Sequence, residues 1–352
     1  MATTDKIEGL QVARALAAIS VMIWHSNLMI DWIPNDQKFP LPFFSRYGYG
    51  GVWLFFLISG FIIAKSLSSP SFSPGVFMTR RILRIYPLYI IATLAALVLQ
   101  IWGGIMFHRP DPSWQFIAAS LFILPMPAPN APFYQVGWTL EHEIVFYLLA
   151  VAIFAFSRRL ELIVAALLAF GLYGLLKGEK AHFLLHLTSP YQLLFAAGML
   201  LFLVREPLRR AGSLFPMAVF LVSAYVLATN WSLSQIERLA LDTLASTTLC
   251  LALINFKFER LPKLPAKAWR AMVYLGEISF SIYLVHWFVF RLVWRANVLL
   301  RPALDDHAEL VRWTGIILSI IASILVYRWI EKPMMRLGRA TASPQIKAQI
   351  AA

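Results

Sequence analysis

The sequence predicts an all-α protein, a polytopic membrane bundle of about ten transmembrane helices with both termini cytoplasmic. Three observations predict it. Of 352 residues, 59% are hydrophobic and only 14% charged, against roughly 25% charged in an average soluble domain. Apolar stretches of about 20 residues, enough to cross a hydrocarbon core of about 30 Å, recur along the chain. The net charge of +13 gathers in alternate connecting segments, which is the positive-inside pattern. The charge therefore reads as topology rather than as a nucleic-acid footprint, and no nucleic-acid partner is expected. The one cysteine, Cys250, leaves no disulfide framework and no thiol metal site.

The first stretch, 10–30, reads LQVARALAAISVMIWHSNLMI. It is too long for a signal-peptide core and lacks a small-residue cleavage site, so no cleavable leader is expected. Arg14 and His25 lie within it. Ionisable groups at that depth are costly and point to a protein-lined, wet interior. Eleven steps of about 100° return the helix to within about 20° of its start, so the two share a face about 16 Å apart along the axis. An anion at Arg14 would reach His25 through an extended arm, which describes an acyl-CoA. The simpler alternatives are a snorkelling anchor for Arg14 and a packed hydrogen-bonding residue for His25.

The other expected spans cover 50–67, 85–106, 138–156, 160–176, 190–204, 214–229, 239–256, 274–299 and 311–330. A shorter apolar piece, 114–124, is below spanning length and runs into the proline-rich PMPAPNAP. The arginines at 80, 81 and 84, 158 and 159, and 205, 209 and 210 mark the cytoplasmic loops, with the basic run 257–270 and the tail. The chain is read as one membrane domain over 1–340 and a short cytoplasmic tail over 341–352.

The second span places Ser59 and Gly60 near mid-membrane, where either close helix packing or function would suit them. Arg80 and Arg84, four apart at a cytoplasmic helix start, face the same way. With Arg81 they offer guanidinium forks suited to phosphate, or ordinary positive-inside anchoring. The fourth span opens Trp138-Thr139-Leu140-Glu141-His142-Glu143. Glu143 is the deeper carboxylate and is expected to orient His25 by a hydrogen bond that holds one tautomer. His142 is expected to face the surface or a loop, and Trp138 to sit at the interface or against substrate. In the ninth span Ser279, Tyr283 and His286 form one polar stripe, with His286 at a depth comparable to His25. At 331–333, Glu331 is expected to pair with a basic neighbour and Pro333 to stop the helix.

Taken together these residues resemble the integral-membrane acyltransferase-3 family. The likeness rests on Arg14-x10-His25, Phe-Phe-x-x-Ser-Gly-Phe at 55–61, Arg80-Arg81-x-x-Arg84, Trp-Thr-Leu-x-x-Glu at 138–143, Gly-x-x-Ser-x-x-x-Tyr-x-x-His at 276–286 and Glu331-Lys332-Pro333. The opening and the fourth-span run are most similar to exopolysaccharide acetyltransferases within it. The resemblance implies transfer of an acyl group, usually acetyl, from cytosolic acetyl-CoA (acyl-CoA) to a hydroxyl of a cell-surface or exported glycan. It implies residence in the cytoplasmic (inner) membrane. Family roles carry onto Arg14 and His25, and onto Ser59, Arg80, Arg84, Glu143 and Tyr283. Many relatives bear an appended hydrolase-like outer domain; none is expected here.

The expected mechanism holds the donor phosphates at Arg14, Arg80, Arg81 and Arg84. His25 serves as general base or transient acyl carrier. Ser59 or Tyr283 donates to the oxyanion, while Trp138 and His286 meet the substrate. The partners are acyl-CoA, the bilayer, and a glycan or lipid-linked saccharide acceptor, whose site the segments 31–49 and 108–135 would shape. No metal is expected, because the histidines lack ligand spacing. Two alternatives remain open: a proton-coupled transporter of a sugar or lipid, with His25, Glu143 and His286 as a relay, and a non-catalytic bundle.

Overall fold

A computed structural model describes residues 7–30, 47–105, 113–125, 131–177, 186–230, 232–257, 262–300 and 307–340. The expected acceptor segments fall mainly outside them, including Trp32 and residues 126–130 of the proline-rich run, as does the tail 341–352. The described residues are helical, with no strand among them. The helices are α1 (Glu8–Ser26), α2 (Gly50–Leu67), α3 (Pro74–Gly103), α4 (Trp114–Leu121), α5 (Trp138–Ser157), α6 (Leu160–Lys177) and α7 (Gln192–Leu208). They continue as α8 (Leu214–Thr229), α9 (Gln235–Asn255), α10 (Lys263–Glu277), α11 (Ser279–Leu300), α12 (Ala308–Val326) and α13 (Lys332–Ala340).

A helix lies over each of the ten expected stretches. Among the described residues, five helices are long and apolar enough to cross a membrane, or six if a bent pair counts as one span. Large side chains such as Trp102, Phe156, Leu214 and Phe215 stand exposed. An exterior of that kind suits hydrocarbon, because the backbone polar groups are already satisfied within the helices.

Glycines set the packing around α1. A Cβ on Gly9, Gly51 or Gly276 would run into the backbone of Leu253, Ala17 or Gln11 respectively. Helices α9, α2 and α10 therefore meet α1 at backbone distance on three sides, the close approach that small residues permit. Helices α2 and α7 meet in the same way: Gly60 lies on the Phe195 backbone and Gly198 on the Leu57 backbone. Gly60 is thus spent on packing, while its neighbour Ser59 turns about 100° away.

Three expectations are corrected. The arginines at 80, 81 and 84 stand in the second and third turns of a 30-residue helix rather than at its start, because α3 begins at Pro74. Proline suits the first helical turn, where its missing N–H has no partner to lose. The expected span 274–299 is broken: α10 and α11 meet at a 73° bend around Ile278. The basic run read as a loop is therefore largely α10, lying along α1. Pro333 does not stop the last helix. A π-helical segment, Tyr327–Glu331, precedes it, with the Lys332 N–H bonded to the Tyr327 carbonyl five residues back. Proline then falls in the first turn of α13, which continues to Ala340. The wide turn leaves the Glu331 side chain only 1% exposed.

Candidate functional site

The polar residues of α1, α2, α3, α5 and α11 converge on a chamber of about 90 Å³. Arg14, Ser59, Arg81, Arg84, Glu143 and Tyr283 line it, with Thr139, Tyr147 and Ser279 and an apolar floor that includes Phe55 and Phe280. Each comes from a different turn of an otherwise apolar helix, so the chamber is polar only where these side chains point. Arg14 is 8% exposed and lies in electrostatic range of Glu331, Glu143, Arg81 and Arg84. Three guanidiniums thus share two carboxylates, an excess of positive charge in a buried space that suits an anion. Arg80 is exposed on the other side of α3, where its stem passes close to Gly338 of α13. The pair facing inward is Arg81 and Arg84, three apart, not Arg80 and Arg84.

Glu143 and Ser59 meet across α5 and α2: the Ser59 hydroxyl donates to Glu143 Oε1 at 2.8 Å. Tyr147, one turn along α5, donates to the same oxygen. The Arg81 guanidinium lies 5.5 Å from the centre of the Tyr147 ring, close enough for a cation–π contact. Tyr283 donates to the Val136 carbonyl at 3.0 Å and accepts from Thr139 at 3.0 Å. A hydroxyl has one hydrogen to give. Ser59 and Tyr283 here give theirs to Glu143 and to the Val136 carbonyl.

His25 lies outside the chamber lining. Its Nδ1 is 2.9 Å from His286 Nε2, and His286 Nδ1 is 2.9 Å from the Ile282 carbonyl oxygen. Trp24 and Trp287 flank the His25 ring at 4.7 and 5.1 Å between centroids. The partner expected for His25 was Glu143; the structure gives His286 instead. His286, expected against substrate, is fully buried. Tyr283 joins the two sets, since it lines the chamber and its ring centre is 6.0 Å from that of His286.

Trp138 does not line the chamber; it packs in an aromatic cluster with Trp53, Tyr191 and the lining residue Phe56. His142 is not at the surface: it is buried, its ring centre 4.2 Å from that of His186. His186 in turn pairs with Glu141 at 2.8 Å. Sequence reasoning passed over His186, which lies between spans and carries no pattern of its own. It also passed over Asp242, buried in α9, although an acid within an apolar stretch is itself a signal. Among the described residues no group of three or more histidine, cysteine or acidic side chains is arranged to hold a metal.

The helical bundle thus holds an arginine-lined chamber near a histidine pair. The family model described as an acyltransferase domain (acyltransferase-3) matches residues 7–329. The chain belongs to that family and is an enzyme of the acyltransferase class, which implies an acyl donor. Among curated proteins it is similar to the exopolysaccharide production protein ExoZ of Rhizobium meliloti, 28% identical over 83% of this chain and 91% of that one. A putative acetyltransferase of the Acidianus two-tailed virus is 27% identical, covering 84% and 87%. The acyltransferase MdmB of Streptomyces mycarofaciens is 25% identical, covering 94% and 92%. No solved structure matches the chain.

Proposed function

We propose that this protein is a membrane O-acyltransferase that moves an acetyl or other acyl group from cytosolic acyl-CoA to a hydroxyl of a cell-surface or exported glycan. The observation that carries the reading is the chamber itself. Three arginines, the buried Arg14 and the half-buried Arg81 and Arg84, outnumber the two carboxylates in their electrostatic range, Glu143 and Glu331. An unneutralised guanidinium in such a space favours an anionic ligand, and a CoA thioester carries phosphates on a long flexible arm. The likeness to an exopolysaccharide production protein supports a glycan acceptor.

In this reading the bundle crosses the inner membrane about ten times, with both termini cytoplasmic, and the basic end of α3 faces the donor. The donor is a substrate held by the arginines. His25 accepts the proton from the acceptor hydroxyl. As it does so, the acceptor oxygen bonds to the thioester carbonyl carbon and the carbon–sulfur bond breaks. The thiolate leaves and takes up the proton, so that alcohol and thioester become ester and thiol. Glu143 serves the chamber by balancing charge and holding Ser59 and Tyr147 in place.

The test uses purified protein in liposomes, with labelled acetyl-CoA facing the basic loops and a mixed glycan extract on the other side. Label reaches glycan with the native protein and not with His25→Ala. Failure of CoA both to bind and to raise the thermal stability of the protein would overturn the reading and favour a transporter.

A further inference from the structure

We propose that His286 is a positioning residue that fixes the tautomer of His25 and so leaves His25 Nε2 as the basic nitrogen. The inference rests on the reading of His25 as the general base, and it begins at Ile282. A backbone carbonyl can only accept, so the 2.9 Å contact between the Ile282 oxygen and His286 Nδ1 requires a hydrogen on that nitrogen. In a neutral imidazole the other nitrogen then carries only a lone pair. His286 Nε2 therefore accepts, and the nitrogen 2.9 Å away, His25 Nδ1, must donate. With its hydrogen on Nδ1, His25 presents an unprotonated Nε2.

The ring geometry agrees. An imidazole lone pair lies in the ring plane, so an N–H···N bond between two rings works best when they are nearly coplanar and meet edge to edge. The two rings are inclined by 25° with centroids 5.0 Å apart, while the facing nitrogens are 2.9 Å apart. Ile282 is a fixed anchor, because its carbonyl belongs to the backbone of α11 one turn before His286. His286 is fully buried and makes no contact with the chamber space. It acts on the reaction through His25 alone.

The experiment compares His286→Leu with His286→Gln in lipid nanodiscs, using protein labelled with nitrogen-15 at histidine. The His25 resonances are assigned by difference from His25→Asn. In the native protein His25 Nδ1 gives the signal of a protonated nitrogen and Nε2 that of a bare one. In His286→Leu the Nδ1–H form loses its dominance, and kcat falls by about 10²-fold, the worth of a positioned general base, while the KM for acyl-CoA holds. A glutamine amide offers one acceptor to His25 and one donor to Ile282, so His286→Gln restores both the signal and most of kcat. Persistence of the Nδ1–H form in a folded His286→Leu protein would overturn the assignment. So would a glutamine variant as impaired as the leucine variant in both readouts. Retained transfer by His25→Ala would instead remove the general-base reading, while the nitrogen spectra would still report whether His286 sets the tautomer.

Discussion

The Tyr283 hydroxyl donates to the carbonyl of Val136, 3.0 Å away, and so ties α11 to the turn that opens α5. Thr139, in the first turn of α5, donates to the same hydroxyl. Tyr283 therefore lines the chamber as a brace between the two helices.

Tyr283→Phe keeps the ring and removes the brace. A buried hydrogen bond contributes about 1 kcal/mol, and the Val136 carbonyl and Thr139 hydroxyl would each lose a partner. The expected result is a lower unfolding temperature in detergent with a transfer rate near that of the native protein. A collapse of kcat in a folded variant would instead give the hydroxyl a part in the chemistry.

The inward and outward arginines of α3 should separate cleanly. Arg84→Gln removes a guanidinium from the chamber, and a charged hydrogen bond is worth about 1.5–3 kcal/mol. Acyl-CoA affinity should fall roughly 10- to 100-fold by titration calorimetry. Arg80→Gln should leave affinity near the native value, because Arg80 stands outside the chamber. Equal losses from both would mean that the donor binds elsewhere.

Glu331 holds a negative charge against Arg14 and Arg84 and accepts from Ser281 at 2.6 Å. Glu331→Gln keeps an acceptor for Ser281 but leaves the buried guanidiniums short of a counter-charge. The thermal unfolding midpoint should drop, and saturating CoA should recover part of the loss by supplying anionic charge. An unchanged midpoint would show that the arginines are neutralised by other groups.

At the α2–α7 crossing, Gly198→Ala places a methyl group against the Leu57 backbone. Overpacking of this kind costs about 1–3 kcal/mol. Because Ser59 rides on the same helix two residues further on, the shift should also reduce transfer, with the two losses appearing together in one variant. Native stability and activity would show that the helices can part at no cost.

Much of this site was legible because polar side chains in apolar stretches are rare enough to be noticed singly. Arg14, Ser59, Arg81, Arg84, Glu143 and Tyr283 were each expected from the sequence, and all line one chamber. Pairing was less legible. Helical phase tells which face a residue occupies but not which helix lies opposite, so His25 was matched with Glu143 rather than His286. Arg80 was grouped with Arg81 and Arg84 but stands outside the chamber, because which face of α3 turns inward depends on how the helix is rotated. The bend at Ile278 and the π-turn before Pro333 left no distinct mark, since helix periodicity runs through both. His186 depends on chain contacts that no local pattern encodes.

The glycine contacts of α1 bear on how far apart the ends of this helix can ever be. Three neighbouring backbones press on it, at Gly9, Gly51 and Gly276. Helix α1 is thus a ruler of fixed length, with Arg14 and His25 as two of its marks. Eleven residues at 1.5 Å each set about 16 Å between those marks. In the proposed reaction, a donor gripped at one mark carries its reactive carbon across that distance on its own arm. Truncated thioesters, however reactive, would be measured and found too short.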